Sequence, residues 1–383
     1  MSDSSLINIA GTGLCSSLGG YHDACAAFRA GLTRFSDHDN ISVMFSGDEE
    51  PTPLTVAPAA TNLMGYQGVG RMIKLLANAH SDLLSNLKHP VPKEGLVILM
   101  AIPDPQTRAC EMELDQGVSR DERLQAYTDL IVMPLFAKID PELNDIPMQM
   151  VFGERVAFAR ILKKATDFLA NGTAQHCLLL VADSLVDDKI LDELLGENQL
   201  KTADNPVGFI PGEGAAMMLL SASGSQNTRA NISLAIDNTP FDDTRQQTDD
   251  ATADDDLEVE LKLKAEERAQ WQDNKLFTMI RSLLLSKYEN QYLPQFVSDM
   301  NGQENRAIEY GLIQVGFQQF YPQAHSLEEK ITALGFAEVG AMMGPLAMAT
   351  ILASVQRGYA RHREFIITLS EDNGKRAVIK LQF

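Results

Sequence analysis

The feature that most constrains the fold is an internal echo. One segment, FARILKKATDFLANGTAQHCLLLVADS, runs from Phe158 to Ser184; another, GPLAMATILASVQRGYARHREFIITLSED, runs from Gly344 to Asp372. Setting Gly172 on Gly358 also aligns Ala174 with Ala360, His176 with His362 and Ser184 with Ser370. Each copy reads as a long apolar helix, a helix-ending glycine, a short turn and a buried strand. Glycine belongs after the helix because the terminating residue often takes a left-handed conformation. Two such copies predict two similar halves packed as related layers around a shared core. We therefore place one half at 1–225 and the other at 226–383.

The rest of the chain alternates in the same way. Leu6–Leu14, Gly95–Ala101, Cys177–Ala182, Ala215–Ser221 and Ile232–Asp237 read as strands. Tyr21–Ala30, Met72–Leu87 and Val156–Ala170 carry apolar residues at helical spacing. Near-continuous apolar strands between helices predict an α/β fold whose sheets are covered on both faces. The segment from Phe241 to Glu260 departs from this pattern, being acidic and poor in large apolar residues. It is expected to be a mobile insertion, since it buries too little surface to offset ordering entropy. Leu257–Lys287, with the only tryptophan at Trp271, is expected to be helical.

Charge and cysteine usage narrow the function classes. Fifty-two Asp and Glu against 32 Lys and Arg give a net charge of -20, which disfavours phosphate backbones and anionic lipid surfaces as partners. The four cysteines, Cys15, Cys25, Cys110 and Cys177, show no CxxC spacing and fit a reducing compartment. The start Met1-Ser-Asp-Ser-Ser has neither the basic residues nor the apolar run of a secretion signal, so a cytoplasmic location is expected. No cofactor is expected: Gly11-Thr-Gly13 stops short of GxGxxG because residue 16 is Ser. The seven histidines show no metal-binding spacing. His176 and His362, at matched positions, are expected to share a structural role, and Cys15 and Cys177 to be buried thiols.

Against this background several motifs resemble the β-ketoacyl synthase branch of the thiolase superfamily. Val207-Gly-Phe-Ile-Pro-Gly-Glu-Gly-Ala-Ala216 is similar to that family's GF-x-x-GEGA signature. Ile9–Gly19 resembles its opening strand and loop, Ala30–Phe35 its next segment, Arg71–Ala79 its first long helix, Val181–Leu185 a strand end, and Leu334–Gly344 its glycine-rich loop before the last long helix. The resemblance implies a thiolase-like fold of duplicated halves in αβαβα layers. It also implies a reaction that needs a cysteine nucleophile, two histidines and a supporting lysine.

Carried over residue by residue, the family's reactive groups are missing. The nucleophile position, counted back from Gly172, falls on Arg155; the first histidine falls at or beside Met300; the second, after Leu334-Gly335, falls on Phe336. The lysine position falls on Ile331, next to Lys330. We expect Arg155 to pair with Glu154 or another acid and plug the site, with bidentate binding of an anionic head group as the alternative. Glu338 reads as a cap for the helix near Gly344, or as a cleft residue. Asp299 and Asn301 read equally as turn formers or as cleft lining.

The reading that follows is a ketosynthase-like protein that has lost condensing activity and serves as a non-catalytic acyl-binding or partner subunit in a fatty-acid or polyketide-type pathway. An acyltransferase of the 3-oxoacyl-[acyl-carrier-protein] synthase type with a rebuilt site is the alternative. Expected partners are a second copy, a catalytic synthase in a heterodimer, acyl carrier protein or acyl-CoA. Neither nucleic acid nor membrane is expected.

Overall fold

The computed structural model describes residues 6–44, 50–105, 119–222, 228–239, 274–325 and 327–383. The acidic stretch 241–260, Trp271 and Cys110 lie outside them. The first half carries β1 (Ile7–Cys15), α1 (Tyr21–Arg29), the pair β2 (Ser36–Val43) and β3 (Thr52–Val56), α2 (Gly68–Asn86), β4 (Leu96–Ile102), α3 (Arg120–Ile139), β5 (Met148–Phe152), α4 (Arg155–Ala170), β6 (His176–Ser184), α5 (Asp188–Gly196) and β7 (Glu213–Ser221). The second carries β8 (Thr228–Asp237), α6 (Lys275–Leu283), β9 (Gln295–Ser298), α7 (Glu304–Phe320), β10 (Glu329–Ile331), α8 (Met343–Gln356), β11 (Glu364–Ser370) and β12 (Arg376–Gln382). Of the helix expected over Leu257–Lys287, the described part is the nine-residue helix Lys275–Leu283, N-capped by Asn274, and residues 257–273 lie outside the described residues.

Strand order makes the echo architectural. The ten strands run β10-β9-β11-β12-β8-β1-β7-β6-β4-β5. Read outward from the central β1–β8 pair, the two halves repeat one order: first strand, last strand, then the strand after the buried helix. Gly172 and Gly358, which end α4 and α8, have φ of 76° and 71°, the left-handed conformation that glycine adopts without steric cost.

Alternation along each strand assigns the layers. Leu179, Val181, Met218, Leu220, Ile367, Leu369, Ala377 and Ile379 face a core shared with α4 and α8. Their neighbours Leu178, Leu180, Met217 and Leu219 face α2 and α3, while Phe296, Ile366 and Val378 face α6 and α7. Side chains that alternate between faces let each strand feed two cores. The product is the αβαβα arrangement, with α4 and α8 as the middle layer. Gly344 permits their close approach, since a Cβ there would lie 2.4 Å from Phe158 Cδ1.

The matched histidines do not share one role. His176 opens β6 with Nδ1 2.8 Å from Ser221 Oγ, whereas His362 Nε2 lies 2.7 Å from Glu328 Oε2.

Candidate functional site

Helix α4 begins in the middle layer with Arg155, only 4% exposed. Its guanidinium meets Glu338 Oε2 at 2.5 Å and donates through Nη1 to the carbonyl of Ser370 at 3.0 Å. Asp299 lies 4.0 Å from Arg155 Nε. A second guanidinium, Arg306 on α7, donates to the same Ser370 carbonyl at 2.6 Å and pairs with Asp299 at 3.3 Å and Asp372 at 2.7 Å. Asn301 Nδ2 donates to Glu338 Oε2 at 2.8 Å. Asp299 Oδ2 also accepts the Ser370 amide at 2.6 Å.

These contacts make a closed network of two guanidiniums and several carboxylates. Burial pulls the Arg155 guanidinium toward neutrality, but Glu338, Asp299 and Asp372 outweigh it and raise its pKa. Burial pushes the Asp299 carboxyl up against the pull of Arg306 and Arg155. Buried charges persist when paired and hydrogen-bonded, and here each finds its counterpart within the protein.

The backbone around Glu338 is held from several directions. Ala337 sits at φ 63°, ψ -169°, a region nearly reserved for glycine and costing about 1–3 kcal/mol for other residues. Neighbouring bonds over-determine it: Glu338 N donates to Ile210 O at 2.9 Å and Gly212 N donates to Glu338 O at 2.7 Å. The GEGA motif thus grips the segment that carries Glu338, through a bridge between Pro211 and Glu338. Its own carboxylate, Glu213, is fully buried and takes a bidentate pair from Arg71, through Nε at 2.5 Å and Nη2 at 2.8 Å. Ser184 Oγ and the Ala59 amide complete its bonds at 2.9 and 3.0 Å.

The two halves cap each other's middle helix. At the start of α4 the Val156 amide donates to Glu371 Oε1, just past β11, at 3.0 Å. In the short turn before α8, Ala341 donates to Asp183 Oδ2, near the end of β6, at 2.8 Å. A carboxylate at a helix N-terminus satisfies orphan amides and complements the helix dipole.

Of the sequence-predicted residues, the structure brings Arg155, Asp299, Asn301 and Glu338 together. Two expectations change. Glu338 does not cap α8; its Oε2 pairs with Arg155 while its Oε1 accepts the nearby Gly340 amide at 2.8 Å. Glu154 stands at the N-cap position of α4 without a side-chain capping bond, and the Val156 amide donates to Glu371. Met300 packs against the outer-layer core with α6 and α7, and it is the preceding Asp299 that enters the network. Phe336 is wholly buried and stacks on Phe28 with ring centroids 5.3 Å apart. Sequence reading missed Arg306, Glu371 and the Ser370 carbonyl. The paired strand ends Ser184 and Ser370 in the echo were the one signal available.

Among the described residues, no partner in this network is a thiol or an imidazole. Burial raises the thiols of Cys15, Cys25 and Cys177 to about 12, far from the thiolate that nucleophilic chemistry needs.

Comparison with known proteins defines the fold as that of the thiolase-like ketosynthases. No family model matches this sequence, and no curated protein matches it. Solved structures do. The ishigamide ketosynthase/chain length factor superposes with a TM-score of 0.62 at 14% identity, covering 99% of both chains. The ketosynthase from module 6 of the bacillaene synthase from Bacillus subtilis 168 gives 0.67 at 9% identity, over 99% of this chain and 72% of that one. The structure of AntDE:AntF, a type II PKS acyl-carrier protein in complex with its ketosynthase, gives 0.67 at 9% identity over 99% of both chains.

Proposed function

We propose that this chain is a ketosynthase-like protein without condensing activity, acting as an acyl-binding or partner subunit in a polyketide or fatty-acid type pathway. The observation that carries the reading is Arg155. A guanidinium occupies the foot of the middle-layer helix, where the ketosynthase reaction calls for a thiolate, and Glu338 and the Ser370 carbonyl hold it through its two terminal nitrogens. Phe336 at the second histidine position supports the same reading, because a buried phenyl ring can neither donate a hydrogen bond to an oxyanion nor hold a proton. Acyl transfer, decarboxylation and condensation each lose the group that would perform them.

Two of the similar structures suggest the company such a chain keeps: one is a ketosynthase/chain length factor, another a ketosynthase in complex with an acyl-carrier protein. We propose a dimer, with itself or with a catalytic synthase. Supporting this, β5 lies at the sheet edge, and α3, packed on it through Thr128 and Met150, exposes Leu130 and Met133.

The test uses purified protein with malonyl and acyl thioesters of coenzyme A and of carrier protein. The expected result is no covalent acyl adduct by intact mass spectrometry and no release of carbon dioxide. An adduct on any residue, or decarboxylation lost on Arg155→Ala substitution, would overturn the reading. Capture of a cysteine-containing synthase or a carrier protein on the tagged chain would support the partner role.

A further inference from the structure

Next to the turn that carries Phe336 lies a cavity of about 670 Å³ into which Arg155, Asp299 and Glu338 do not reach. Phe28, Leu32 and Leu334 supply its apolar wall, and three cations, Arg29, Lys330 and Arg361, line it together with Glu328 and Glu329. In a chain of net charge -20 such a cluster is out of keeping with the whole. Among the described residues none of the three cations has an ion-pair partner. Arg29 lies over the Tyr359 ring, its Cζ 3.9 Å from the centroid.

The two carboxylates in the wall are already engaged. Glu328 Oε2 lies 2.7 Å from His362 Nε2, and Glu329 Oε1 accepts from Ser298 Oγ at 2.7 Å. Burial pushes the Glu329 carboxyl up, against the hydrogen bonds from Ser298 and Tyr310. Lys330 is half-buried. Burial pulls its ammonium pKa down, Glu328 opposes this, and Arg29 and Arg361 add to the depression. Like charges converging at a partly desolvated site repel one another, and an anion between them would turn that repulsion into attraction.

We propose that this cavity binds a phosphate monoester carried on an apolar body. Three cations against two carboxylates, Glu328 lying near both Arg361 and Lys330, leave the wall net positive, and a phosphate monoester carries about -1.5 to -2 charges at pH 7 and offers three acceptor oxygens to share among the cations. Phe28, Leu32 and Leu334, the last 67% exposed, suit an apolar tail that lies partly at the mouth. The volume falls within the usual range for small-molecule sites. Both a lipid headgroup and a soluble alkyl phosphate present this chemistry.

Calorimetric titration of the full chain at low salt with n-octyl phosphate, below its aggregation concentration, tests the site. Saturable one-to-one binding is expected, weakened about tenfold or more by Arg361→Gln and by Lys330→Met. Inorganic phosphate should bind less tightly than octyl phosphate, because it leaves the apolar wall uncovered. Co-sedimentation with phosphatidylcholine vesicles containing phosphatidic acid then separates the sources: binding there assigns a lipid, and binding of octyl phosphate alone assigns a soluble ligand. Arg361 is exposed, so its substitution decides the matter even if Lys330→Met does not fold. Absence of octyl phosphate binding, or equal binding by the Arg361→Gln protein, overturns the proposal. The titration reads no turnover, so its failure would leave the absence of condensing activity untouched.

Discussion

Arg155 Nη2 and Glu338 Oε2 meet at 2.5 Å with both side chains almost wholly buried. They come from opposite halves of the fold, one from the start of α4 and the other from the turn before α8. The pair therefore closes the interior and ties the halves together at the same point.

Removing one partner strands the other. Arg155→Met leaves Glu338 buried without its counter-charge and should cost about 3–5 kcal/mol. Adding Glu338→Gln should recover part of the loss, since no charge at that position is then left unpaired. Urea unfolding of the two variants measures both; an unchanged midpoint for Arg155→Met would remove the pair from the stability account.

The contact between the middle helices is equally specific. Gly344→Ala drives a methyl group into the Phe158 ring and should lose about 1–3 kcal/mol by overpacking. Phe158→Leu withdraws the ring edge, so the double variant should lose less than the sum of the singles. Additive losses in thermal unfolding would place the clash elsewhere.

Acid stability has a named contributor at the end of β8. Burial pushes the Asp237 carboxyl up, but Lys275 at 2.8 Å and the bonds from Thr239 outweigh it and hold it at about 2. A carboxyl whose folded pKa lies below its unfolded value stabilises the fold above the unfolded value, near 3.8, and loses that contribution as pH falls toward 2. Asp237→Asn should flatten the loss of stability between about pH 4 and 2 while lowering stability at neutral pH. Unfolding midpoints recorded across that range check the slope.

Association should depend on the face beside β5. Leu130 and Met133 are 50% and 64% exposed on α3, and an apolar patch rimmed by polar residues marks an interaction surface. Leu130→Glu with Met133→Glu should halve the mass seen by sedimentation equilibrium at micromolar concentration while leaving the circular dichroism spectrum unchanged. A wild-type chain that sediments as a monomer would contradict the dimer.

Much of the fold was legible along the chain because periodicity is a local signal. The echo around Gly172 and Gly358, the apolar strands and the GEGA stretch depend on residues within one or two elements. They foretold a duplicated fold, a covered sheet and a helix over Val156–Ala170, which begins one residue earlier at Arg155. Position counting from Gly172 set Arg155 on the position where the resemblance implies a nucleophile.

Tertiary structure alone chose the partners. Whether Glu338 would cap a helix or neutralise Arg155 turned on the left-handed φ of Ala337 and on the hold that Gly212 and Ile210 exert on that segment. Arg306 and Glu371 bear on the site only because the first turn of α7 and the end of β11 reach the start of α4 around the Ser370 carbonyl, and no local pattern marks such an approach. Charge pairing in a low-dielectric interior is decided by distances between residues far apart in sequence, and those distances exist only once the layers have packed.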